Sequence, residues 1–120
     1  MNVVCIDLNG IQVAEMQSKG IIIRSARDAA DIIGQLLERG VRKLILHQDN
    51  LCPEMWEVSN GLAQAILKSF RDSAVEVAIV GEFDQNRSKD LRAFIEKTNL
   101  GNQTMFVGNV ELARMRLSKQ

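Results

Sequence analysis

The residues best suited to chemistry in this sequence are polar side chains that directly follow apolar runs. His47, Asp49 and Asn50 follow the run VRKLIL, and Glu82 and Asp84 follow the run VEVAIV. An imidazole beside a carboxylate can act as an acid or a base, and carboxylates can also hold a hard cation. His47 is the single histidine of the chain, so any imidazole chemistry must use it.

The spacing of these residues favours binding over catalysis. A metal site is not predicted, because no D-x-D-x-D-G loop and no second histidine accompany the acidic side chains. No glycine-rich phosphate loop is present either, so no nucleotide or other cofactor is predicted. A lone histidine after a strand more often makes a hydrogen bond within its loop than catalyses a reaction, which favours a polar binding rim.

Composition limits the class of protein. The 120 residues predict one domain, residues 1–120, and a hydrophobic content of 46% is sufficient for its core. Fifteen basic residues balance fifteen acidic ones, which argues against a nucleic-acid partner. The amino terminus lacks a signal-peptide pattern and no apolar run approaches a membrane span, so we expect a cytoplasmic protein with no membrane partner.

The two cysteines, Cys5 and Cys52, lie outside any C-x-x-C spacing, which fits a reducing compartment. Cys5 falls within a predicted strand, where we expect it to pack as a small hydrophobic residue. Cys52 falls in a predicted loop just before Pro53, where the amino terminus of a helix could make its thiol reactive. No disulfide is predicted.

Periodicity predicts the elements that position these residues. The runs 2–8 and 11–16 are rich in β-branched residues and flank Asn9-Gly10, a dipeptide typical of a type I′ hairpin turn. Further strands are predicted at 41–46, 75–80 and 105–107. Helices are predicted at 26–39 after the cap Ser25, at 54–70, from the cap Ser88 onward, and from Asn109 to 117.

This order of elements predicts an α/β domain with a mixed sheet of about five strands. A β-hairpin comes first, followed by helix and strand in alternation, so the later strands should be parallel and joined by right-handed crossovers. In open sheets of this kind, ligands bind outside the carboxyl ends of the strands. The loops that follow the parallel strands therefore form the predicted binding rim.

The predicted second helix contains a polar interruption at Ser59-Asn60-Gly61. Glycine inside a helix costs roughly 1 kcal/mol relative to alanine, unless close packing or an approaching ligand requires it. Of these two explanations we favour close packing of the helix on the sheet. The neighbouring Met55 and Trp56 could belong to the core or to the contact of a homodimer.

Several short stretches carry a resemblance to a known family. They are Leu46-His47, Asn50-Leu51, Gly61-Leu62-Ala63, Ala78-Ile79-Val80-Gly81, Ser88-Lys89, Leu91-Arg92, Phe94-Ile95, Asn99 and Gly101. Residues 41–115, and more weakly the N-terminal hairpin, resemble a family of small bacterial proteins classified as a domain of unknown function (number 4180). The resemblance implies no activity, no cofactor and no catalytic residues.

The order of elements also resembles the STAS fold of sulfate transporters and anti-sigma-factor antagonists, whose members are non-enzymatic binding modules. Those domains carry Asp-Ser-Ser-Gly-Leu at the start of the second helix, and the nearest stretch here is Val58-Ser59-Asn60-Gly61-Leu62. Val58 replaces the acidic residue and Asn60 replaces the serine that is phosphorylated in the antagonists. A phosphorylation switch is therefore not implied, and Ser59 is a lesser candidate.

The sequence thus predicts a non-catalytic binding or regulatory module for a protein partner or a small ligand. Its candidate binding residues are His47, Asp49, Asn50, Ser59, Gly61, Glu82 and Asp84. The alternative is a small hydrolase or isomerase that uses His47 with a carboxylate. A homodimer formed through the second helix is compatible with either function.

Overall fold

A five-stranded sheet lies at the centre of the computed structural model, which describes residues 2–83 and 88–119. The strands are β1 (Val3–Leu8), β2 (Ile11–Met16), β3 (Lys43–His47), β4 (Glu76–Val80) and β5 (Thr104–Val107). The helices are α1 (Ala26–Glu38), α2 (Leu62–Asp72), α3 (Lys89–Asn99) and α4 (Val110–Leu117). β1 pairs antiparallel with β2, and the remaining pairs are parallel. The predicted α/β class, with its hairpin-led mixed sheet, is confirmed.

β1 and β2 form the predicted hairpin around Asn9 and Gly10. Both turn residues have positive φ, 57° and 84°, as a type I′ turn requires. The Gly10 N–H also donates to the Asp7 carboxylate at 2.7 Å, which fixes the entry to the turn. The pairing then continues along both strands without a bulge.

Apolar side chains are buried on both faces of the sheet. Helices α1, α2 and α3 cover one face, over residues such as Leu44 and Ile79, and we call it the three-helix face. α4 alone covers the other face, over Ile45 and Ala78, and we call it the α4 face. Because β3 and β4 are buried on both sides, their middle residues are apolar in succession instead of alternating.

Charged side chains on the strands hold α4 in place. Arg114 makes a two-pronged ion pair with Glu15 of β2, in which Nη2 lies 3.0 Å from Oε1. The hydrogen bond and the negative charge of Glu15 raise the pKa of Arg114. At the carboxyl end of the helix, Lys43 donates to the carbonyl groups of Leu117 and Lys119 at 2.8 Å each. A cation at this position also offsets the negative end of the helix dipole.

Three helices begin at the caps that the sequence predicted. The side chains of Ser25, Ser88 and Asn109 each accept a hydrogen bond from the backbone N–H three residues later, at 2.8–3.2 Å. The Asp28 carboxylate completes the first cap by accepting from Arg24 N at 2.8 Å. None of the helices within the described residues combines the length and the hydropathy needed to cross a bilayer.

The predicted helix over 54–70 is wrong in its first part. Residues 53–56 and 58–60 form two short 3-10 helices, and α2 begins only at Leu62. The apolar positions that suggested one long helix belong to two separate turns and a shorter helix. Periodicity cannot distinguish these cases, because short 3-10 turns also place apolar residues three apart.

The break before α2 has a local cause. Gly61 has a φ of 78°, in the left-handed region that glycine adopts without steric cost. Asn60 stabilises the turn around it, since its amide donates to the Glu54 carbonyl and its side-chain oxygen accepts from Leu62 N, both at 2.8 Å. Asparagine favours such turns because its short side chain can bond to nearby backbone groups.

The order of the strands is 1-2-3-4-5, without a reversal. The three crossovers after β2 all pass over the three-helix face, and crossovers of one hand on one face add each new strand on the same side. The crevice of doubly wound folds arises where the strand order reverses. The described strands provide no such point, so a binding site at the carboxyl edge depends on the loops that rise above it.

Candidate functional site

The loops that leave β3 and β4 contact each other at the carboxyl edge of the sheet. His47 is the register partner of Val80, which places Gln48 level with Gly81. A Cβ atom built on Gly81 would lie 2.6 Å from Gln48 Oε1 and 2.8 Å from Phe83 Cζ. Both distances are shorter than real Cβ contacts, so a larger residue at position 81 would force the Gln48 and Phe83 side chains to move.

Four of the five aromatic residues of the chain pack together beneath these loops. We call Trp56, Phe83, Phe94 and Phe106 the aromatic cluster. The rings of Phe83 and Phe106 meet edge to face with centroids 5.1 Å apart, and the Trp56 ring lies 5.6 Å from that of Phe83. Each pair of this kind contributes about 0.5–1.5 kcal/mol beyond the burial of its area. The cluster therefore joins the loops after β3 and β4 to α3 and β5.

A cleft of about 350 Å³ opens beside the aromatic cluster, between α3 and the ends of β4 and β5. Phe83 and Phe106 provide its apolar floor. Arg92 and Glu96 bring one positive and one negative side chain to its α3 wall, and both are exposed. Gly108 leaves the backbone after β5 accessible. The accessible lining of the cleft is somewhat more polar than apolar, so polar groups above a small apolar base would provide most of the contacts to a ligand.

His47 and Asp49 lie at the same edge of the sheet but are not among the residues that line this cleft. His47 is half-buried and lies two residues after Ile45, which places it on the α4 face, whereas Asp49 is exposed. The ion pairs of the described residues include none between the His47 imidazole and a carboxylate. The acid–base pairing required by the hydrolase or isomerase alternative is therefore not formed among these residues.

Asn50 is buried, at 1% exposure, and its side chain is used within the fold. Its Oδ1 accepts from His47 N at 2.9 Å, and its Nδ2 donates to the carbonyl groups of Ser18 and Gly20 at 3.0 Å each. Its own carbonyl accepts from the N–H groups of residues 22 and 23. Asn50 thereby fastens the connector between β2 and α1 to the loop after β3. Its geometry assigns it a structural role at the edge where a binding role was predicted.

Gly61 and Ser59 lie outside the cleft. A Cβ atom on Gly61 would meet no other atom within 4 Å, so the explanation by close packing on the sheet is wrong and its positive φ accounts for the glycine. Ser59 is exposed in the turn before it. Together with Trp56 and Ser88, Ser59 lines a separate cleft of about 370 Å³.

The loop after β4 is described only in part. Glu82 is exposed and directly precedes Phe83 of the aromatic cluster. Asp84, like Asn86 and Arg87, lies outside the described residues. The described part of the chain contains no group of three or more His, Cys, Asp or Glu side chains that could hold a metal ion.

The cysteine expected to be buried is exposed, and the cysteine expected in an accessible loop is buried. Cys5 is exposed on β1, so the prediction that it packs as a core residue is wrong. β1 is an edge strand, and its position in the sheet leaves the thiol accessible. Cys52 is buried at 5% exposure, with Sγ 3.9 Å from the carbonyl of Arg24. Of the two thiols, Cys5 is the one that a reagent in solution can reach.

Met55 and Trp56, considered above for a homodimer contact, both pack within the fold. Met55 has no exposed surface, and Trp56 belongs to the aromatic cluster. A contact between two copies could not use Met55 without opening the core.

Sequence reasoning named Asn99 only for the family resemblance and missed its role, which is to close the outer edge of β5 at Phe106. Its Oδ1 accepts from Phe106 N at 2.7 Å, and its Nδ2 donates to the Phe106 carbonyl at 3.3 Å. One amide side chain thus bonds the two groups of Phe106 that point away from β4, as a neighbouring strand would do. Gln48 and Phe83 were missed as well, and Gly81 directly after a strand was the one signal of the close approach around it.

Comparison with known proteins identifies the family of this chain. Neither a curated protein nor a solved structure matches this chain, so the STAS-like architecture stays a prediction. A family model described as "Domain of unknown function (DUF4180)" matches residues 8–117, which extend from the end of β1 to the end of α4. The resemblance stated from the sequence is confirmed, and the chain belongs to the DUF4180 family.

Proposed function

We propose that this protein is a non-catalytic binding module whose ligand occupies the cleft beside the aromatic cluster. The cleft itself carries the proposal, because its volume of about 350 Å³ falls at the small end of ligand pockets. Such pockets measure roughly 300–1,000 Å³ and combine apolar walls with a small number of polar groups. A ligand of this size is a small molecule, or one side chain of a protein partner.

The chemistry of the lining indicates the class of ligand. The edge-to-face pair Phe83 and Phe106 suits a ring or a branched aliphatic group placed against it. Arg92 and Glu96 stand one helical turn apart on α3 and can bond an acidic group and an amino group, respectively. We therefore propose a small amphipathic ligand that carries a carboxylate, an amine or both.

The polar rim extends the proposed site beyond the cleft. Gln48 packs on Gly81, which lines the cleft, so the loop after β3 adjoins the cleft. His47 ends β3, and Asp49 and Glu82 lie in the loops after β3 and β4, so all three would contact the part of a ligand or partner that projects from the cleft along this edge of the sheet. Asn50 is left out of the proposed contacts because its amide is bonded within the fold.

We also propose that the protein works in the bacterial cytoplasm, in a regulatory role. Two separate thiols, Cys5 and Cys52, suit a reducing compartment, and a balanced charge suits a freely diffusing protein. A binding module without a catalytic group can affect the cell only through the ligand or partner that it binds. This is the basis for the proposed regulatory role.

Trp56 makes the proposal testable, because the single tryptophan lies in the aromatic cluster. We would titrate the protein with benzoate, phenylalanine and phenethylamine while following Trp56 fluorescence and backbone amide shifts by NMR. We expect at least one probe to shift the amides of Gly81, Phe83 and Gly108 together. If every probe leaves these amides unmoved, or the shifts scatter over the surface, the proposed site is wrong.

Two variants locate the polar contacts. Arg92→Ala should weaken a carboxylate probe and Glu96→Ala an amine probe by roughly three- to tenfold, the effect of losing one charge-assisted hydrogen bond at an exposed site. Lys89→Ala, at an exposed position at the start of the same helix, is the matched control and should bind as the wild type does. Binding that is equal in Arg92→Ala, Glu96→Ala and Lys89→Ala would contradict the assignment of the α3 wall.

Variants of the loop after β3 separate binding from folding. His47→Ala and Asp49→Ala should leave the thermal midpoint nearly unchanged and weaken only partners larger than the cleft. Asn50→Ala should lower the midpoint, because three hydrogen bonds of a buried amide are lost. A stable Asn50→Ala variant with impaired binding would instead assign Asn50 to the ligand.

A further inference from the structure

The outer edge of β1 presents backbone groups that have no partner among the described residues. The Asn2 carbonyl accepts from Gln17 N at 2.7 Å, so the backbone groups of Asn2 point toward β2. Because these groups alternate in direction along a strand, the N–H and C=O groups of Val4, Ile6 and Leu8 also point toward β2. The N–H and C=O groups of the alternate residues, Val3, Cys5 and Asp7, point away from the sheet.

Apart from one aspartate, β1 carries none of the usual features that protect an edge strand. Its sequence, VVCIDL, has no proline and no lysine, and its pairing with β2 has no bulge. Proteins normally use such features to prevent strands of separate molecules from pairing. The single charge is Asp7, whose carboxylate is already bonded to the hairpin turn through Gly10 N.

The side chains of β1 add an apolar surface to this free edge. Val4 is 47% exposed on the α4 face, and Ile6 and Leu8 lie half-buried on the same face. α4, the helix that covers that face, packs mainly over β3, β4 and β5, so β1 lies at the margin of the covered area. Cys5 is exposed on the opposite face.

We propose that β1 pairs antiparallel with β1 of a second copy of this chain, so that two sheets join into one across a two-fold axis. This inference goes beyond the proposed ligand site, since it concerns a different edge of the sheet. It also concerns a strand that lies almost wholly before the matched family region, which begins at residue 8.

Self-complementarity of the strand favours a second copy as the occupant. A two-fold axis perpendicular to the sheet keeps each face on its own side, so residues that oppose each other must come from the same face. Centring the axis on Cys5 places Val4 opposite the partner's Ile6, and Val3 opposite the partner's Asp7. Apolar groups then meet across the α4 face, no like charges oppose each other, and all three outward-facing residues of each strand are hydrogen-bonded.

A register in which the two-fold axis moves by one residue, from Cys5 to Ile6, is less favourable for pairing. Centring the axis on Ile6 would oppose Cys5 to the partner's Asp7 and leave the outward groups of Val3 unpaired. The Cys5 register is therefore the one that we infer. The seam between two six-residue strands is smaller than a standard interface of about 1,200–2,000 Å², so we expect a reversible dimer with a dissociation constant in the micromolar range.

Sedimentation velocity across a series from micromolar to near-millimolar concentration tests the association. The wild type should shift from monomer to dimer, and Val4→Lys should weaken the association at least about tenfold, because a buried charge would replace an apolar contact. Val4 is far from the proposed ligand cleft, so binding of the probes should be unaffected and the two proposals fail separately. A wild type that remains monomeric throughout the series would overturn the inference, whatever else binds the edge.

The register has its own test in the exposed thiol. In the inferred register, Cys5 lies opposite the partner's Cys5 at a Cα separation of about 5.5 Å, within the range of about 4.4–6.8 Å that a disulfide needs. Diamide accepts the two protons and two electrons of the paired thiols. It should therefore cross-link the wild type and Cys52→Ser but not Cys5→Ser.

A matched control moves the thiol two residues along the same edge. In Cys5→Ser/Asp7→Cys, each new thiol would lie about 13 Å along the seam from its partner, which prevents a disulfide. We expect rapid cross-linking through residue 5 and none through residue 7. Equal cross-linking at both positions would indicate random collisions or another register, and would overturn the Cys5-centred pairing.

Discussion

The two edges of the sheet differ in how many of their outward-pointing backbone groups have a partner. At the β5 edge, Asn99 bonds both backbone groups of Phe106 that point outward. At the β1 edge, the outward groups of Val3, Cys5 and Asp7 have no partner among the described residues. One amide side chain from the helix beside it thus closes the β5 edge at Phe106, whereas the outward groups of Thr104 have no partner among the described residues. The other edge is formed by the outer strand of a hairpin, and no helix of the described residues runs along its outer side.

The difference shows that a strand edge is closed when a neighbouring element in the chain lies alongside it. α3 leads directly into β5, so its last residue, Asn99, lies alongside the strand. β1 is followed by the hairpin turn and then by β2, and no described element follows it on its outer side. The edge that neighbouring elements leave open is the edge where we infer pairing between copies.

The largest expected effect comes from opening the closed edge. Asn99→Ala removes two hydrogen bonds to a largely buried strand, so the free energy of unfolding should fall by about 2 kcal/mol. Thermal denaturation should show this as a midpoint lower by roughly 8 °C, and the Phe106 amide should exchange its hydrogen faster. Asn102→Ala removes an exposed amide nearby and is the control, with a change within about 0.5 kcal/mol. Equal stability of the two variants would mean that Asn99 does not close the edge.

A smaller effect is expected at the turn that holds β1 to the sheet. Gly10 has a φ of 84°, and Gly10→Ala should cost about 1 kcal/mol because a Cβ atom is strained in this region. Urea denaturation measures the difference. Asn9→Gly, in the same turn, keeps the positive φ accessible and should stay close to the wild type. If Gly10→Ala is as stable as the wild type, the hairpin register does not depend on the type I′ turn.

The smallest effect on stability is expected at the open edge itself. Val4→Lys replaces a side chain that is 47% exposed, so the free energy of unfolding at a concentration where the protein is monomeric should change by at most about 0.5 kcal/mol. Val4→Thr keeps the β-branched shape and serves as the control. A loss of stability well above this value would show that Val4 supports the fold of the monomer. Such a loss would also mean that both edges, β5 and β1, are required for folding, so the β1 edge could not be distinguished as the one available for association.

Much of the fold could be predicted from local sequence. Asn9-Gly10 predicted the hairpin because few dipeptides adopt two positive φ values, and Ser25, Ser88 and Asn109 predicted helix starts because their short side chains bond the free N–H groups there. These interactions are complete within a few residues. Their outcome therefore depends little on the rest of the chain.

The region from 53 to 61 was predicted less well. A left-handed Gly61 and the two hydrogen bonds of Asn60 divide the expected helix, and both depend on backbone angles that hydrophobic periodicity does not report. Cys5 was misplaced for a different reason. Its strand was identified correctly, but whether a strand lies at the centre or the edge of a sheet is decided by the elements beside it.

The candidate site shows the same division. The sequence by itself determined that polar residues follow β3 and β4 at one edge of a mixed sheet, since strand ends and turn residues are local signals. Only the tertiary structure decided that Asn50 is bonded within the fold, that the aromatic cluster lies beneath the rim and that a cleft opens beside α3. The physical reason is that these features are contacts between residues far apart in the chain, such as Trp56 and Phe106. Such contacts exist only once the sheet brings its strands together.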